Sequence, residues 1–397
     1  MVTITDQPDQ VEIMIPEHEL KAEDVHQMMF KTVQAHLSLK TEGWRCTTEQ
    51  TLNSLIKVVA EGSSLEAVCA DASEMVDGNT LREQLNAALD VYQLRQQEAE
   101  MNAALCASVP VGMPRGGLEA AIDTHDEPFY GKTPELLTYT CAGRAKDGTT
   151  HFFRLASAYV IWRDVRLTLA LTYVLPEDDL PSVVERLLQR LGHLGLHATV
   201  LYMDKGFCSG DILRYLQRTR QAAVLACPTR GKSGGIRALC QGRGSYTTDY
   251  TFTNGTTARL VLVDTRVPDP KTKHKQRKWL AFVLVQLDWT PQQVLAKYRR
   301  RFGIEASYRL LRQVKVMTNS RNPALRFFFF GLGLLMQNVW VLARWLFTRR
   351  PSKGRHKLIP SLLRFDRFRK LLVRALELLY PPRLSVPVFV SPDFVIH

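Results

Sequence analysis

The sequence predicts an α/β fold behind an α-helical N-terminal region, and three observations predict it. From Glu17 to about Ala107 apolar residues recur at three- and four-residue spacing with no proline after Pro16. After a Pro/Gly-rich linker, Ser108 to Gly117, short β-branched runs begin to alternate with helical stretches. Charge divides along the chain as well. Residues 1–130 hold 8 Lys/Arg against 22 Asp/Glu, a balance of −14, whereas residues 131–397 hold 44 against 17, a balance of +27. A cationic surplus of that size suits a polyanion, because each phosphate neutralised releases condensed counterions. The alternative is a basic surface kept for solubility.

Within the helical region, Ser63 and Ser64 can cap a helix from Leu65 to Met75. Asp77-Gly78-Asn79 reads as a turn, and Thr80 to Gln97 as a second helix carrying Arg82, Gln84 and Asn86 near its start. Such a pair could be a helix-turn-helix. Residues 1–110 carry 7 basic and 18 acidic groups, however, so DNA binding and a packing or dimerisation role both stay open.

Beyond the linker, Leu118 to Ile122 reads as a short strand ending at Asp123. His151 to Ile161 and Val165 to Leu175 read as a hairpin, and Leu180 to Leu194 as a helix. Ala198 to Met203 is a strand ending at Asp204, Ser209 to Arg218 a helix, and Ala222 to Cys227 a strand. A β-rich stretch from Thr229 to Val285 follows, then helices from Pro291 to Val316 and from Pro323 to Phe347. This order is that of an RNase H-like catalytic core with a β-rich insertion between the second Asp and the last helices. The expected segments are 1–110 (helical), 111–228 (core, first part), 229–286 (insertion), 287–350 (core, last helices) and 351–397 (basic C-terminal region).

The run from Phe327 to Phe347 is apolar enough to consider as a membrane span. Gln337, Asn338 and Arg344 would lie inside it at a cost of order 1–3 kcal/mol each, so a buried core helix and no membrane partner are expected. The seven cysteines are scattered and form no Cys-x-x-Cys, which suits a reducing compartment rather than a disulfide framework. With no basic-then-apolar leader at the start, a cytoplasmic site is expected.

Two strand-end carboxylates, Asp123 and Asp204, would repel each other unless a divalent cation lay between them. A third acid comes from the last helical stretch. At about 100° per residue, Tyr298, Arg301, Glu305 and Arg312 fall within an arc of about 60°, with Ile304 and Leu311 opposite and facing a core. A plain Arg301–Glu305 helix ion pair, about 0.3–0.5 kcal/mol, is the simpler account of part of that face. Asp126 and Glu127 are rivals to Asp123, and His125 could reach a phosphate. Lys271, Lys273, Lys275, Arg277 and Lys278, approached through Pro268 and Pro270, have the composition of a DNA-backbone contact at a hairpin tip. A solvated loop is the alternative. Arg299 to Arg301 and the stretch from Arg349 to Arg374 would extend the basic surface.

The pattern Tyr298-x2-Arg301-x3-Glu305-x6-Arg312 resembles the Tyr-x2-Arg-x3-Glu-x6-Lys signature of bacterial and archaeal insertion-sequence DDE transposases. Ile122 to Gly131 and Met203-Asp204-Lys-Gly-Phe207 are similar to that group's first and second Asp motifs, and the likeness runs over about residues 115–345. Arg312 departs from the signature's Lys, keeping charge but changing a point cation to a fork. The resemblance implies metal-dependent cleavage and strand transfer of DNA by Asp123, Asp204 and Glu305. It implies two Mg²⁺, with Mn²⁺ as substitute, and an Arg301/Arg312 grip on the strand with Tyr298 touching a nearby phosphate or base. It also implies double-stranded DNA as partner (terminal inverted repeats and target), a homodimer in the DNA complex and a prokaryotic, nucleoid-associated setting. A domesticated, DNA-binding relative without catalysis is the alternative.

Overall fold

The structure is a computed structural model. It describes residues 19–385 apart from 41–44, 115, 164, 230–233, 269–273 and 353–354. The N-terminal part holds α1 (Ala22–His36), α2 (Thr48–Glu61), α3 (Leu65–Asp71), α4 (Gly78–Ala88) and α5 (Leu94–Ala107). Thr47 and Gln50 form a capping box on α2, which is buried from Thr51 to Ala60. It stops at Gly62, whose φ is +66° and whose place against the Gln313 carbonyl has no room for a Cβ.

The predicted pair of helices is found but shortened. Ser64 caps α3, and Asp77 caps α4 with its side chain on the Asn79 and Thr80 N–H groups. The expected helix from Thr80 to Gln97 is interrupted, because Asp90 caps a new 3₁₀ turn at Val91–Gln93 before α5. Gln84, placed with Arg82 and Asn86 near the start of the second helix, differs from them. It is buried, and its Oε1 accepts from Cys46 Sγ (2.8 Å) and Thr51 Oγ1 (3.2 Å), which leaves Arg82 and Asn86 outward.

Next come β1 (Leu118–Phe129), α6 (Pro134–Leu137), β2 (Cys141–Lys146), β3 (Thr149–Trp162) and β4 (Val165–Val174). They are followed by α7 (Leu180–His193), β5 (Ala198–Met203), α8 (Gly210–Arg218), β6 (Ala223–Cys227) and α9 (Gly235–Leu239). Then β7 (Tyr246–Thr251), β8 (Thr257–Pro268) and β9 (Lys275–Val285) lead to α10 (Pro291–Tyr298) and α11 (Phe302–Leu311). The chain closes with α12 (Pro323–Phe347), a small hairpin of β10 (Arg349–Ser352) and β11 (Arg355–Leu358), and α13 (Phe365–Leu379).

Nine strands make one mixed sheet in the order β2-β3-β1-β5-β6-β9-β8-β7, with β4 sharing the outer edge of β3 with β2. Pairing is antiparallel from β4 through β3 to β1, parallel from β1 through β5 to β6, and antiparallel from β6 outward. The stretch expected as a β-rich insertion is therefore continuous with the central sheet, since β9 pairs with β6 from Ala223↔Val285 to Cys227↔Ala281. On one face Ala120, Ile122, Ala158 and Leu201 pack under α7 and α8. On the other, Ala121, Tyr159 and Tyr202 pack with Val294, Tyr298 and Ile304 of the α10–α11 stretch.

Strand β1 is longer than predicted. It was expected to end at Asp123, yet it pairs with β3 from Glu119↔Ile161 through Asp123↔Ser157 to Phe129↔His151. Its polar half looks like a turn in sequence, but the ladder to β3 satisfies the backbone, and Asp126 pairs with Arg154 directly opposite (Nε–Oδ1 2.7 Å). Because β5 pairs with β1 only as far as Ile122, the far half of β1 has one free edge, where Pro128 is tolerated.

The helices and the sheet share one large core, which joins α1, α2, α5, α12 and α13 to Phe129, Phe153, Leu155, Leu171 and Tyr173. The two ends of the described chain also meet. Ser73 N–H donates to Pro381 O (2.8 Å), Arg383 N–H to Asp71 O (2.7 Å) and Arg369 Nε to Ala60 O (2.7 Å). Arg369, counted among the basic surface residues in sequence, thus binds a backbone carbonyl near the end of α2.

Helix α12 is the apolar run, with 78% of its most apolar window buried in the fold. Its Asn338 serves strand β4, whose outer edge would otherwise leave backbone groups unpaired in the core, while Gln337 accepts from Ser307 Oγ (2.7 Å). Asn338 brackets Thr168, accepting from its N–H (3.1 Å) and donating to its carbonyl (2.7 Å). Asn102 of α5 does the same for Leu171 (2.7 and 2.9 Å), and Glu98 accepts from Tyr173 N–H (2.6 Å). Replacing Asn338 with Leu strands two buried backbone groups, so chemical denaturation should show a loss of about 2–4 kcal/mol. An unchanged midpoint and slope would mean that the edge is satisfied some other way.

Candidate active site

The parallel pairing of β1 and β5 decides where two of the three acids stand. The last register pair is Ile122↔Met203, so Asp123 and Asp204 follow side by side where the strands part. Asp204 opens a tight turn: its Oδ1 accepts from Gly206 N–H (2.7 Å) and its carbonyl from Phe207 N–H (3.2 Å). Gly206 runs so close that a Cβ there would lie 2.9 Å from that Oδ1. Asp204 is thus at a strand end, as expected, whereas Asp123 lies within a strand.

The third acid arrives on a broken helix. The expected single helix from Pro291 to Val316 is α10, a 3₁₀ turn at Arg299–Arg301, and α11. That tightening ends the common arc: Tyr298 and Arg301 are buried, while Glu305 and Arg312 are exposed. Ile304 and Leu311 are buried as expected. Tyr298 stacks near Phe282 (4.8 Å between centroids) and donates its hydroxyl to Met203 O (3.0 Å). In this conformation the Tyr298 hydroxyl is committed to the backbone next to Asp204, not presented to solvent, so it holds the helix break against the end of β5.

Arg301 ties the site together. Its Nη1 donates to Asp123 Oδ2 (3.1 Å) and its Nη2 to Glu305 Oε1, while its buried Nε has no hydrogen-bond partner among the described residues. Asp123 is 15% exposed at the side chain, and burial pushes its carboxyl up to about 6. Arg301 and the Thr124 N–H oppose that rise, and the neighbouring Asp204 charge adds to it. Beneath them, Tyr308 hydrogen-bonds Ser157 Oγ (2.7 Å) and reaches the Asp123 carbonyl (3.5 Å). Sequence reasoning missed Tyr308; its place one helical turn after Glu305 was the available signal.

The donors fit a hard divalent cation in chemistry: carboxylate oxygens alone, one of them on a carboxyl that burial raises above its usual range. Among the described residues no three His, Cys, Asp or Glu side chains converge as a ready metal group, because the Arg301 guanidinium lies between Asp123 and Glu305.

The rival acids are used elsewhere. Asp126 is held by Arg154, and Glu127 is bound by His125 (3.0 Å), Lys315 (2.7 Å) and Arg326 (3.9 Å). A cavity of about 430 Å³ opens beside them, lined among others by His125, Glu127, Tyr308, Arg312, Lys315 and Phe330. The His125 ring packs on Phe330 (4.9 Å) and Tyr308 (5.4 Å). Arg312 is exposed and makes no ion pair among the described residues. On β9, Lys275 and Lys278 are exposed, whereas Arg277 pairs with Asp264 (2.8 Å) and lies over Trp279. Lys271 and Lys273 lie outside the described residues.

Burial works against ionisation of Glu127, but the His125 hydrogen bond and the Lys315 ion pair outweigh it and hold its carboxyl at about 2, below its usual 4.5. The resulting stability is complete above about pH 4.5 and is lost as pH falls toward 2. Glu127→Gln should therefore cost on the order of 3 kcal/mol at pH 7 and flatten the decline of stability between pH 4.5 and 2, read by urea unfolding. A parallel pH profile in the variant would rule this carboxylate out as the source.

The family model described as a transposase DDE domain matches residues 177–338, less than half of the chain. That span contains Asp204, Arg301, Glu305 and Arg312, and begins after Asp123. No curated protein sequence matches. Among solved structures, the fold is similar to that of the piggyBac transposase in a synaptic complex with hairpin DNA, with a TM-score of 0.53 and 12% identity. That likeness covers 89% of this chain and 77% of the other, and at such identity it bears on the fold alone. The domain match, with the fold likeness beside it, supports a DDE transposase.

Proposed function

We propose that this protein cuts DNA at the ends of an insertion sequence and joins them to target DNA, using Asp123, Asp204 and Glu305. The observation that carries the reading is the gathering of Asp123, Arg301 and Glu305 beside Asp204 where β1 and β5 part. The run β4-β3-β1-β5-β6, three strands antiparallel and two joining in parallel, supports an RNase H-like core beneath it.

Two Mg²⁺ ions, or Mn²⁺ in their place, would polarise the scissile phosphate and acidify the attacking water or 3′-hydroxyl. Asp123, Asp204 and Glu305 would hold them. Asp123 is suited to a cation, since burial raises its carboxyl to about 6 despite Arg301 and a metal charge would offset that cost. Arg301 keeps Asp123 and Glu305 together, and on DNA binding its guanidinium can turn to a phosphate oxygen. Arg312, exposed and without an ion pair among the described residues, grips the same strand at the end of α11. Lys275 and Lys278, with Lys271 and Lys273, offer backbone contacts, and Arg277 joins them if it leaves Asp264. Bringing two element ends together calls for two copies of the site, hence a homodimer on DNA.

Strand-transfer assays on DNA carrying the element's own ends test this. Cleavage should need Mg²⁺ or Mn²⁺ and fall at least about 100-fold in Asp204→Asn and Glu305→Gln with folding intact. Wild-type activity in either variant removes that residue from the site. Binding without cleavage by the wild-type protein would favour a DNA-binding relative that no longer cuts.

Asp123→Asn carries a second, separable expectation. The Asp123 carboxyl moves from 3.8 to about 6 on folding, so the stability it contributes is present in acid and lost as pH rises through 6. Asp123→Asn should be inactive with Mg²⁺ present, yet in metal-free buffer at pH 8 more stable than wild type by about 1–3 kcal/mol. A less stable variant under those conditions would contradict the raised carboxyl.

A further inference from the structure

We propose that Cys208 and Cys227 are a redox modification site, a thiol pair that closes to a disulfide by exchange with a small-molecule disulfide of the glutathione class. Their sulfurs are 3.1 Å apart. Other described cysteines satisfy their thiols differently: Cys106, Cys141 and Cys240 donate to the carbonyls of Leu169, Val174 and Ile236, and Cys46 to Gln84. Closing the pair asks for an approach of the two sulfurs to about 2.05 Å.

Topology explains why two cysteines 19 positions apart meet. Strands β5 and β6 are parallel neighbours, so the turn that leaves β5 and the last residue of β6 lie at the same end of the sheet. Cys208 ends the turn opened by Asp204, its N–H on the Lys205 carbonyl (3.4 Å), and Ser209 then caps α8. Cys227 is the final residue of β6 and is buried, while Cys208 is partly exposed. The hydrogen bond between the sulfurs pulls the Cys208 thiol down from its usual range and pushes Cys227 up, which makes Cys208 the attacking group.

The exchange balances. Cys208 gives up its proton, its thiolate attacks one sulfur of the oxidant, and the other sulfur leaves as a thiolate. Cys227 then loses its proton and attacks the Cys208 sulfur, expelling the second small thiolate. Two protein thiols are oxidised to one disulfide, and the oxidant is reduced to two thiols. The bond would clamp the turn that carries Asp204 to the end of β6. Its bearing on catalysis rests on the function proposed above, but its formation does not.

The test uses the intact chain without DNA. After incubation with oxidised glutathione and removal of excess, mass spectrometry should find protein lighter by two hydrogens and a Cys208–Cys227 linked peptide. A phosphine reductant should reverse both. Cys227→Ser should instead keep a stable glutathione adduct on Cys208. Amide exchange over residues 205–208 should slow in the oxidised wild-type protein relative to the reduced one. A wild-type protein that retains a glutathione adduct on Cys208 with no link to Cys227, or that links either cysteine to a different one, would overturn the proposal. Because nothing here reads cleavage, this outcome is independent of whether the protein cuts DNA.

Discussion

The pairing of β1 with β5 stops one residue short of Asp123 and Asp204, and the site depends on that limit. Were the ladder to continue, both carboxylates would lie inside a covered sheet. Were it to stop earlier, they would splay apart. Ending at Ile122 and Met203, it leaves two like charges adjacent at an opening, and the protein answers with one buried guanidinium that also reaches Glu305. Burial of Asp123 outweighs the help Arg301 gives, so its carboxyl rises to about 6. Pre-organised sites commonly hold groups in states that the fold alone would not favour.

A second constraint acts at the other margin of the core. Strand β4 pairs on one side only, and its free side faces helices instead of water. Side chains from α5 and α12 supply the missing partners, which accounts for the buried Glu98, Asn102 and Asn338. Asn338, costly in a lipid setting, is in this fold the group that lets α12 lie against a strand edge. The helical layer and the sheet are joined by directional bonds as well as by apolar contact.

Local pattern carried much of this architecture. The hairpin of β3 and β4, strand β5 ending at Asp204, and helices α7, α8 and α12 follow apolar periodicity and capping residues closely. What pattern could not reach depends on partners distant in sequence. Thr124 to Phe129 reads as a turn until β3 lies beside it and Arg154 meets Asp126. The 3₁₀ break before α11 comes with Arg301 turning inward to two carboxylates and Tyr298 anchoring on Met203, contacts that no helical wheel contains. Gln84, near the start of a possible helix-turn-helix second helix in sequence, is buried and bonded to Cys46 and Thr51. Within the site, the spacing from Tyr298 to Arg312 marked the right segment, while the division between inward and outward members needed the fold.

The contact between the two ends of the described chain has a consequence in time. Helices α1 and α2 lean on α13, and the backbone near Asp71 and Ser73 is bonded to residues 381 and 383. During synthesis, about three hundred residues must follow the first helices before α13 exists, roughly 15–60 s at ordinary elongation rates. In that interval the parts of α1 and α2 that α13 covers have no partner, and the acidic balance of the N-terminal third helps to keep nascent chains apart. The helical layer therefore completes only after α13 is made, although its first members are made early.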